Sequence, residues 1–460
     1  MTAFVTRSQS IVNATRFIED YTSEDNFLYL GIAKPDPWND VLTSSIDESP
    51  PIANDSETSQ QNFRDGLIAV KRVLSSQFSK VVPRIDWTSG TVYKAWDDQE
   101  PAFFDRSLTS PNFYVLTSSF DLYKCIRSNG SSLIQPSHTS VEPQLYGDGY
   151  VWHYLYRLRP SDAVTFLNSQ FIPIVKSSTS EHITYEQNCK DELDGGIFRI
   201  IVTNGGAGYT SAPAVTIEGP GTGATATAII SGGGAVTEIR IDASGSVLAH
   251  GTGYTNARVI IGAPPAGGIQ ATARAVLSPA NGHGTNIENE LFAYNVEVAV
   301  NLEYDESETF ITENDYRQIA LIRNLVEFGE DPETFAQGNS YNALSAMTLN
   351  SVSGGSFSSD DVIKQTSGAN QSARAYVAQA NADSPYTIWY HQNYKTGWTP
   401  FQIGETIINN NGAGAVSAII ATKIDPSIDK QSGEILFIEN RAKIVRSSTS
   451  REELRIIIEF

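Results

Sequence analysis

The residues that could carry out chemistry are few, and the first group of them is acidic. Asp97, Asp98 and Glu100 lie close together in a polar stretch of the chain. Two carboxyl groups held about 5 to 10 Å apart can hydrolyse a glycosidic bond, so a glycan hydrolase is one chemistry to consider. Proximity in sequence does not set that separation. We therefore predict that the chain has no catalytic residues and is not an enzyme.

Metal and cofactor sites need side chains at characteristic spacings. The chain has six scattered histidines: His138, His153, His182, His250, His283 and His391. None pairs with another histidine or a cysteine at ligand spacing, and HExxH does not occur. We predict no metal site and no cofactor. His153 lies in a strand pattern and is predicted to face a polar interface, with a ligand or base as the alternative.

Two further patterns could bind ligands. The run Gly219-Pro220-Gly221-Thr222-Gly223 is loosely similar to a nucleotide loop, but no strand-loop-helix frame surrounds it, so a turn between strands is favoured. The glycine repeats lack the Asp of calcium-binding β-rolls. Aromatic residues around Trp389 and Trp398 could stack on sugars, or could belong to a core or subunit interface.

Charge and composition exclude several partners. The 460 residues carry a net charge of -20 without clusters of Lys or Arg, so we expect no nucleic-acid binding. The excess acidity serves solubility or association with a basic partner. No apolar run is long enough for a bilayer and residues 1–20 are polar, so we expect a soluble chain without a signal peptide. Two distant cysteines, Cys125 and Cys189, suggest reduced thiols in an intracellular assembly environment.

The elements that would position these residues are mostly strands. Tyr150–Leu158 follows a Gly-Asp-Gly turn and alternates with period two, which predicts a strand that buries one side. Helical spacing predicts helices over 8–21 and 62–74. A short helix is expected from Pro160, with Ser161 as its N-cap. The length indicates two to four domains. The predicted fold class is mainly β, an α+β core with a few helices and antiparallel, β-sandwich-like domains.

Two internal repeats stand out. Gly206-Ala207-Gly208-Tyr209-Thr210 recurs 45 positions later as Gly251-Thr252-Gly253-Tyr254-Thr255. Two copies are few for a solenoid, so the repeat predicts one inserted Gly-rich β domain with internal pseudo-symmetry. A fainter repeat, offset by 44 positions, matches Phe357, Ile363, Gly368 and Ala369 with Phe401, Ile407, Gly412 and Ala413. It predicts a second inserted β module.

Several stretches, in one order along the chain, resemble a single family. They are Val81–Trp87, Leu122–Ile126, Gly147–Trp152, Tyr316–Ile319, Ser432–Arg441 and Glu452–Phe460. Together they resemble the baseplate wedge subunits known as gene product eight of T-even-type, contractile-tailed bacteriophages. The resemblance covers roughly residues 1–176, 281–330 and 428–460.

This resemblance implies a structural protein in the tail baseplate of a virion, assembled in the host cytoplasm. The family is mostly β with a few helices, forms a homodimer in each baseplate wedge and binds other wedge subunits. The baseplate senses host contact and switches shape to trigger sheath contraction. No catalytic, cofactor-binding or metal-binding residues belong to the family, so none are assigned.

The predicted domains follow from the resemblance and the repeats. They are 1–90, the N-terminal α+β part of the wedge core; 91–194, a β domain; 195–280, the Gly-rich repeat module; 281–345 with 421–460, the C-terminal part of the core; and 346–420, the second inserted module. The two modules depart from the family pattern and are expected to protrude. The alternative function is a carbohydrate-binding receptor or tail-fibre-associated protein acting through these modules.

Overall fold

The computed structural model describes residues 5–460 apart from 24, 39–48, 98, 100–111, 176–179, 242, 245–246, 305–308 and 410–414. Strands hold 41% of the chain and helices 13%, in several antiparallel sheets and one small barrel. The predicted mainly-β fold class is confirmed. Of the residues singled out above, Asp98, Glu100, Gly412 and Ala413 lie outside the described residues.

The chain forms two compact units. The first unit comprises Met1–Thr15, Ser79–Glu297 and Ile457–Phe460, and the second comprises Arg16–Phe78 and Val298–Ile456. The helices are α1 Arg7–Thr22, α2 Glu57–Asp65, α3 Pro160–Phe166, α4 Ser180–Leu193 and α5 Ile287–Leu291. The predicted helix over 8–21 is α1, and Ile11, Ala14 and Tyr21 are buried on one of its faces, as their helical spacing requires.

The second unit contains a five-stranded antiparallel sheet in the order β21-β2-β1-β20-β28. Its strands are β1 Leu28–Ala33, β2 Leu67–Arg72, β20 Asn314–Arg323, β21 Ser340–Asn342 and β28 Glu434–Arg446. The central strand β1 is buried throughout. Its Gly31 lies opposite Val70 of β2 on one side and Ala320 of β20 on the other. An apolar run without alternation is typical of such an inner strand.

The predicted helix over 62–74 is wrong from Gly66 onward, and only its first four residues are helical. Helix α2 ends at Asp65, and after Gly66 the chain continues as strand β2. Leu67 and Val70 are at most 1% exposed, and so are the two residues between them. An apolar run buried on both faces cannot be distinguished from a buried helix by periodicity, which explains the error.

The first unit contains a four-stranded sheet in the order β4-β5-β7-β6. Its strands are β4 Tyr114–Leu116, β5 Asp121–Arg127, β6 Gln144–Leu145 and β7 Val151–Arg157, and beside it β3 Phe78–Pro83 pairs with β8 Phe171–Pro173. The prediction that residues 150–158 bury only one side is wrong. Val151 and Leu155 on one face are as fully buried as Trp152 on the other, because hydrophobic clusters pack against both faces of β7.

The N-cap predicted at Ser161 is also wrong. The cap of α3 is Arg159, which makes no side-chain capping bond, and Pro160 is the first helical residue. Proline is favoured at that position because its fixed φ suits a helix and its missing N–H costs nothing there.

The Gly-rich repeat of the first unit builds one interlocked sheet system. Its strands are β9 Ile197–Asn204, β10 Val215–Glu218, β11 Thr222–Ala224, β12 Ala226–Ile230, β13 Val236–Ile241, β14 Ala243–Ser244, β15 Val247–Leu248, β16 His250–Thr252, β17 Arg258–Ile261 and β18 Thr272–Leu277. The main sheet has the order β12-β13-β9-β18, while β10 pairs with β17, β11 with β16 and β14 with β15. We call residues 195–278 the repeat module.

The two copies of the repeat exchange strands. The last strand of the first copy, β12, pairs with the first strand of the second copy, β13, and β18 pairs with β9 in return. The backbone N–H of Tyr209 donates to the carbonyl of Gly234 at 3.0 Å, and that of Tyr254 donates to Gly195 at 3.1 Å. Each contact that the first copy makes with the second is therefore matched by an equivalent contact from the second to the first, as expected for two copies related by a two-fold axis. Neither copy completes the sheet alone.

The second repeat forms a closed barrel in the second unit. Its strands are β22 Ser345–Ser353, β23 Val362–Gln365, β24 Arg374–Asn381, β25 Tyr386–His391, β26 Thr406–Asn409 and β27 Ser417–Ile424, in the closed order β22-β25-β24-β23-β26-β27. Equivalent strands β23 and β26 pair with each other. The repeated residues Ile363 and Ile407 are both fully buried in its core. Strands β19 Asn295–Leu302 and β29 Glu452–Glu459 complete the described strands.

Candidate functional site

Asp97, the described member of the predicted acidic cluster, is an anchor for the repeat module. Its carboxylate accepts hydrogen bonds from both terminal nitrogens of Arg274 on β18, at 3.1 and 2.5 Å, and lies 3.9 Å from Arg199 on β9. The residue is 3% exposed. Burial acts to raise its pKa, but the hydrogen bonds and charge of Arg274 outweigh burial and lower it. The carboxyl group is therefore ionised and already engaged.

A second group of charges in the first unit is more deeply buried. Lys124 Nζ of β5 lies 2.5 Å from Glu290 Oε2 of α5 and 2.8 Å from His283 Nδ1. The side chains of Lys124 and Glu290 are 0% and 2% exposed. We call Lys124, His283 and Glu290 the ionic cluster. Burying a charge costs free energy unless the charge is paired. A buried group of three ionisable side chains is therefore the strongest candidate for a site.

Local structure fixes the acidic member of the ionic cluster. Asn286 caps α5 by accepting a hydrogen bond from the backbone N–H of Asn289 at 3.0 Å. Glu290 Oε1 accepts from the backbone N–H of Gly284 at 2.7 Å, so both of its carboxylate oxygens are used. The loop before α5 and strand β5 are thereby tied to one carboxylate.

The protonation states of the ionic cluster follow from its surroundings. Burial acts to raise the pKa of Glu290, but the charge of Lys124 and the neighbouring His283 bring it down to about 2. Burial, assisted by Lys124, lowers the pKa of His283 to about 4. Burial also lowers the pKa of Lys124. Near neutral pH the histidine is uncharged, and its Nδ1 accepts a hydrogen bond from the Lys124 ammonium.

Aromatic rings enclose the ionic cluster. Lys124 Nζ lies 4.2 Å from the centroid of the Trp96 ring, a cation–π contact. The Phe198 ring of the repeat module lies 5.2 Å from His283 and 4.4 Å from His250, between centroids. His250 Nε2 is 3.2 Å from a carboxylate oxygen of Glu142. This packing leaves the charges no exposed face on which a substrate could react.

His153 lies beside the ionic cluster, and the prediction that it faces a polar interface is wrong. It is 0% exposed, and its ring centroid is 6.0 Å from that of His283. Among the described residues neither ring nitrogen has a hydrogen-bond partner. Burial lowers its pKa well below the ordinary value, so the ring is neutral. A Cβ on Gly284 would come within 2.7 Å of His153 Nε2, which explains the glycine there.

The ionic cluster can hold strand β5 and the loop before α5 together, but its charged atoms are not accessible to a substrate. Sequence reasoning missed the ionic cluster because Lys124 and Glu290 are 166 positions apart. One signal was visible, since Lys124 interrupts an otherwise apolar strand. A charge on the inner face of a strand requires a buried partner.

The other predicted features are placed as follows. Residues 219–221 connect β10 to β11, as the turn interpretation expects, while Thr222 and Gly223 already belong to β11. Trp389 is half-buried on the barrel, whereas Trp398 is 58% exposed. Both cysteines are free and buried. Within the described ranges, no three His, Cys, Asp or Glu side chains are arranged to hold a metal ion. No described helix combines the length and apolarity needed to cross a membrane.

Comparison with known proteins gives one informative match. No protein-family model matches the chain. The chain is 21% identical over 182 residues to the baseplate wedge protein gp8 of Enterobacteria phage T4, an alignment that covers 33% of this chain. It spans about half the length of that relative, 53%. This match relates the chain distantly to a baseplate wedge protein of a phage.

Proposed function

We propose that the chain is a structural subunit of the baseplate wedge of a contractile-tailed bacteriophage. In this role it joins neighbouring wedge proteins and takes part in the shape change that triggers sheath contraction. It is located in the virion tail and acts there as a homodimer. The observation that carries the proposal is the match to the baseplate wedge protein of phage T4.

The interior of the first unit supports a structural role. Two of the carboxylates that could do chemistry are engaged in ion pairs, Asp97 with Arg274 and Glu290 with Lys124. Paired charges of this kind can fix the register of packed elements. Removing one partner destabilises the fold because the other charge is left buried and unpaired. The proposal accordingly assigns the chain no reaction.

The composition supports large subunit contacts. Wedge parts need permanent interfaces, which commonly bury about 2,000 Å² or more and are rich in aromatic residues. The chain offers 20 Tyr and 20 Phe, and only 18% of its residues are charged. Contraction further requires interfaces with two alternative packings, which a protein can provide without an active site.

The experiment is light scattering on the purified chain, alone and mixed with the other baseplate proteins of its virus. The expected result is a mass near 100 kDa, twice the 50.1 kDa of one chain, and a larger species on mixing. Negative-stain images of particles should then show the protein within the hexagonal plate. A trimer indifferent to those proteins would refute the proposal and favour a fibre or receptor-binding role.

A further inference from the structure

The second unit contains a small cleft lined by aromatic and amide side chains. The cleft has a volume of about 250 Å³. It is lined by Trp38 from the loop after β1 and by Tyr394 from the barrel loop between β25 and β26. Pockets for drug-sized ligands measure roughly 300–1,000 Å³, so this cleft suits a single ring.

One aromatic wall of the cleft is fixed in advance. The indole N–H of Trp38 donates a hydrogen bond to the carbonyl of Arg441 at 3.0 Å. Lys34 Nζ lies 4.9 Å from the centroid of the Trp38 ring. Tyr394 is 63% exposed, which is high for a large aromatic side chain. A ring held in place before the ligand arrives reduces the entropy lost on binding.

Amide side chains supply the polar part of the lining. Asn393 Oδ1 accepts hydrogen bonds from the backbone N–H groups of Lys395 and Thr396, at 2.9 and 3.3 Å, which orients its side chain. Gln318 donates to Asn440 at 2.8 Å and keeps its oxygen as an acceptor. Asn62 adds an exposed amide.

Three charged side chains line the cleft: Lys34, Asp36 and Lys395, whose Nζ lies 5.8 Å from the centroid of the Tyr394 ring. Lys34 Nζ lies 3.7 Å from a carboxylate oxygen of Asp36, so the lysine does not present an isolated positive charge. The chain as a whole is strongly acidic, which disfavours phosphates and other anions. Amides offer both donors and acceptors, and hydroxyl groups match them in both roles.

From this lining we propose that the cleft binds one ring of a neutral saccharide. The C–H face of the sugar would lie against the aromatic walls, with its hydroxyl groups paired to Asn62, Asn393 and Gln318. This activity goes beyond the structural role and does not depend on it. It places a glycan contact at the edge of the barrel and not on the repeat module.

The test is a glycan array probed with the full chain, carrying neutral and sialylated or phosphorylated glycans. The terminal sugar of the best neutral ligand is then titrated, as its methyl glycoside, into the wild type and three variants by calorimetry. Tyr394→Ala and Asn62→Ala change exposed cleft residues, and Trp398→Ala changes an exposed aromatic residue of the same loop outside the cleft lining. Thermal unfolding checks that each variant is folded.

The expected result is a neutral-glycan signal, with binding about five- to tenfold weaker in each cleft variant and unchanged in Trp398→Ala. Three results would overturn the proposal: no neutral glycan bound by the wild type, equal loss in Trp398→Ala, or full binding by both cleft variants. A preference for charged glycans would also overturn it. The assembly experiment has a separate readout, so the failure of one proposal does not imply failure of the other.

Discussion

The repeat module and the barrel are both built from two copies of about 45 residues that exchange strands, yet they are stabilised differently. The barrel closes on itself, and its core side chains come from the barrel alone. The repeat module stays an open sheet, and its core includes Ile126, Val151 and Leu193 from outside the repeat. In both regions, exchanging strands between the copies completes the hydrogen bonding of the sheet. Only the sheet that closes into a barrel also encloses a core made entirely of its own side chains.

The strongest test of this difference is to separate the two regions. We expect residues 343–427 to fold alone, because closure leaves no sheet edge unpaired and the apolar core is complete. We expect residues 195–278 to remain unfolded, because their core and Arg199, Arg274 and His250 lose their partners. Circular dichroism and amide NMR dispersion of both fragments, compared with the full chain, measure this. A folded repeat fragment would abolish the distinction.

The next largest effect concerns the charges of the first unit. Glu290→Gln leaves Lys124 buried without a counter-charge and should lower the free energy of unfolding by about 3–5 kcal/mol. The matched control is Glu238→Gln, whose ion pair with Arg240 is exposed and should matter by less than about 1 kcal/mol. Urea unfolding of both variants gives the values. The double variant Lys124→Met, Glu290→Leu should recover most of the lost free energy of unfolding. Equal losses in Glu290→Gln and Glu238→Gln would contradict the interpretation that the buried ion pair stabilises the first unit.

Acid should weaken the first unit through the same residues. His283 has its pKa lowered from 6.5 to about 4 in the folded chain, and Glu290 from 4.5 to about 2. For a lowered pKa, the stability is fully present above the ordinary value and is lost as the pH falls towards the folded value. Stability should therefore decline from pH 6.5 to 4 through His283 and from pH 4.5 to 2 through Glu290. In His283→Gln the upper part of this slope, followed by urea midpoints, should flatten; an unchanged slope would exclude His283 as its source.

The smallest expected effect comes from a difference in hydrogen bonding between the two copies of the repeat module. The hydroxyl of Tyr209 donates to the carbonyl of Gly262 at 3.0 Å and accepts from the N–H of Ala271 at 2.9 Å. In the described residues the equivalent Tyr254 hydroxyl has no such partners. Tyr209→Phe should cost about 1–2 kcal/mol and Tyr254→Phe less than about 0.5 kcal/mol. Thermal or urea unfolding of the two variants measures both losses of stability. Equal losses would show that the two copies are equivalent and would contradict this prediction.

The sequence allowed the fold class and the repeats to be predicted because both rest on local patterns. Tyr209 and Tyr254 are each 5% exposed, as their repeated position implies. Residues 67–72 were mistaken for helix because a strand buried on both faces loses its alternation. The partners of Lys124 and Asp97 could not be predicted, since they come from positions brought close only by the fold. The same holds for His153, whose surroundings are set by α4 and the loop before α5.

The ends of the barrel lie side by side, and this has an evolutionary consequence. Ala346 near its start is paired with Ile424 at its end, and the N–H of Ser427 donates to the carbonyl of Asn342 at 2.9 Å. Removing the intervening segment would leave two termini that a short turn can join. A single recombination event could thus insert, delete or exchange the whole barrel at one point of the chain. Lineages carrying such a chain could exchange the barrel as one segment while keeping the sheet from which its ends emerge.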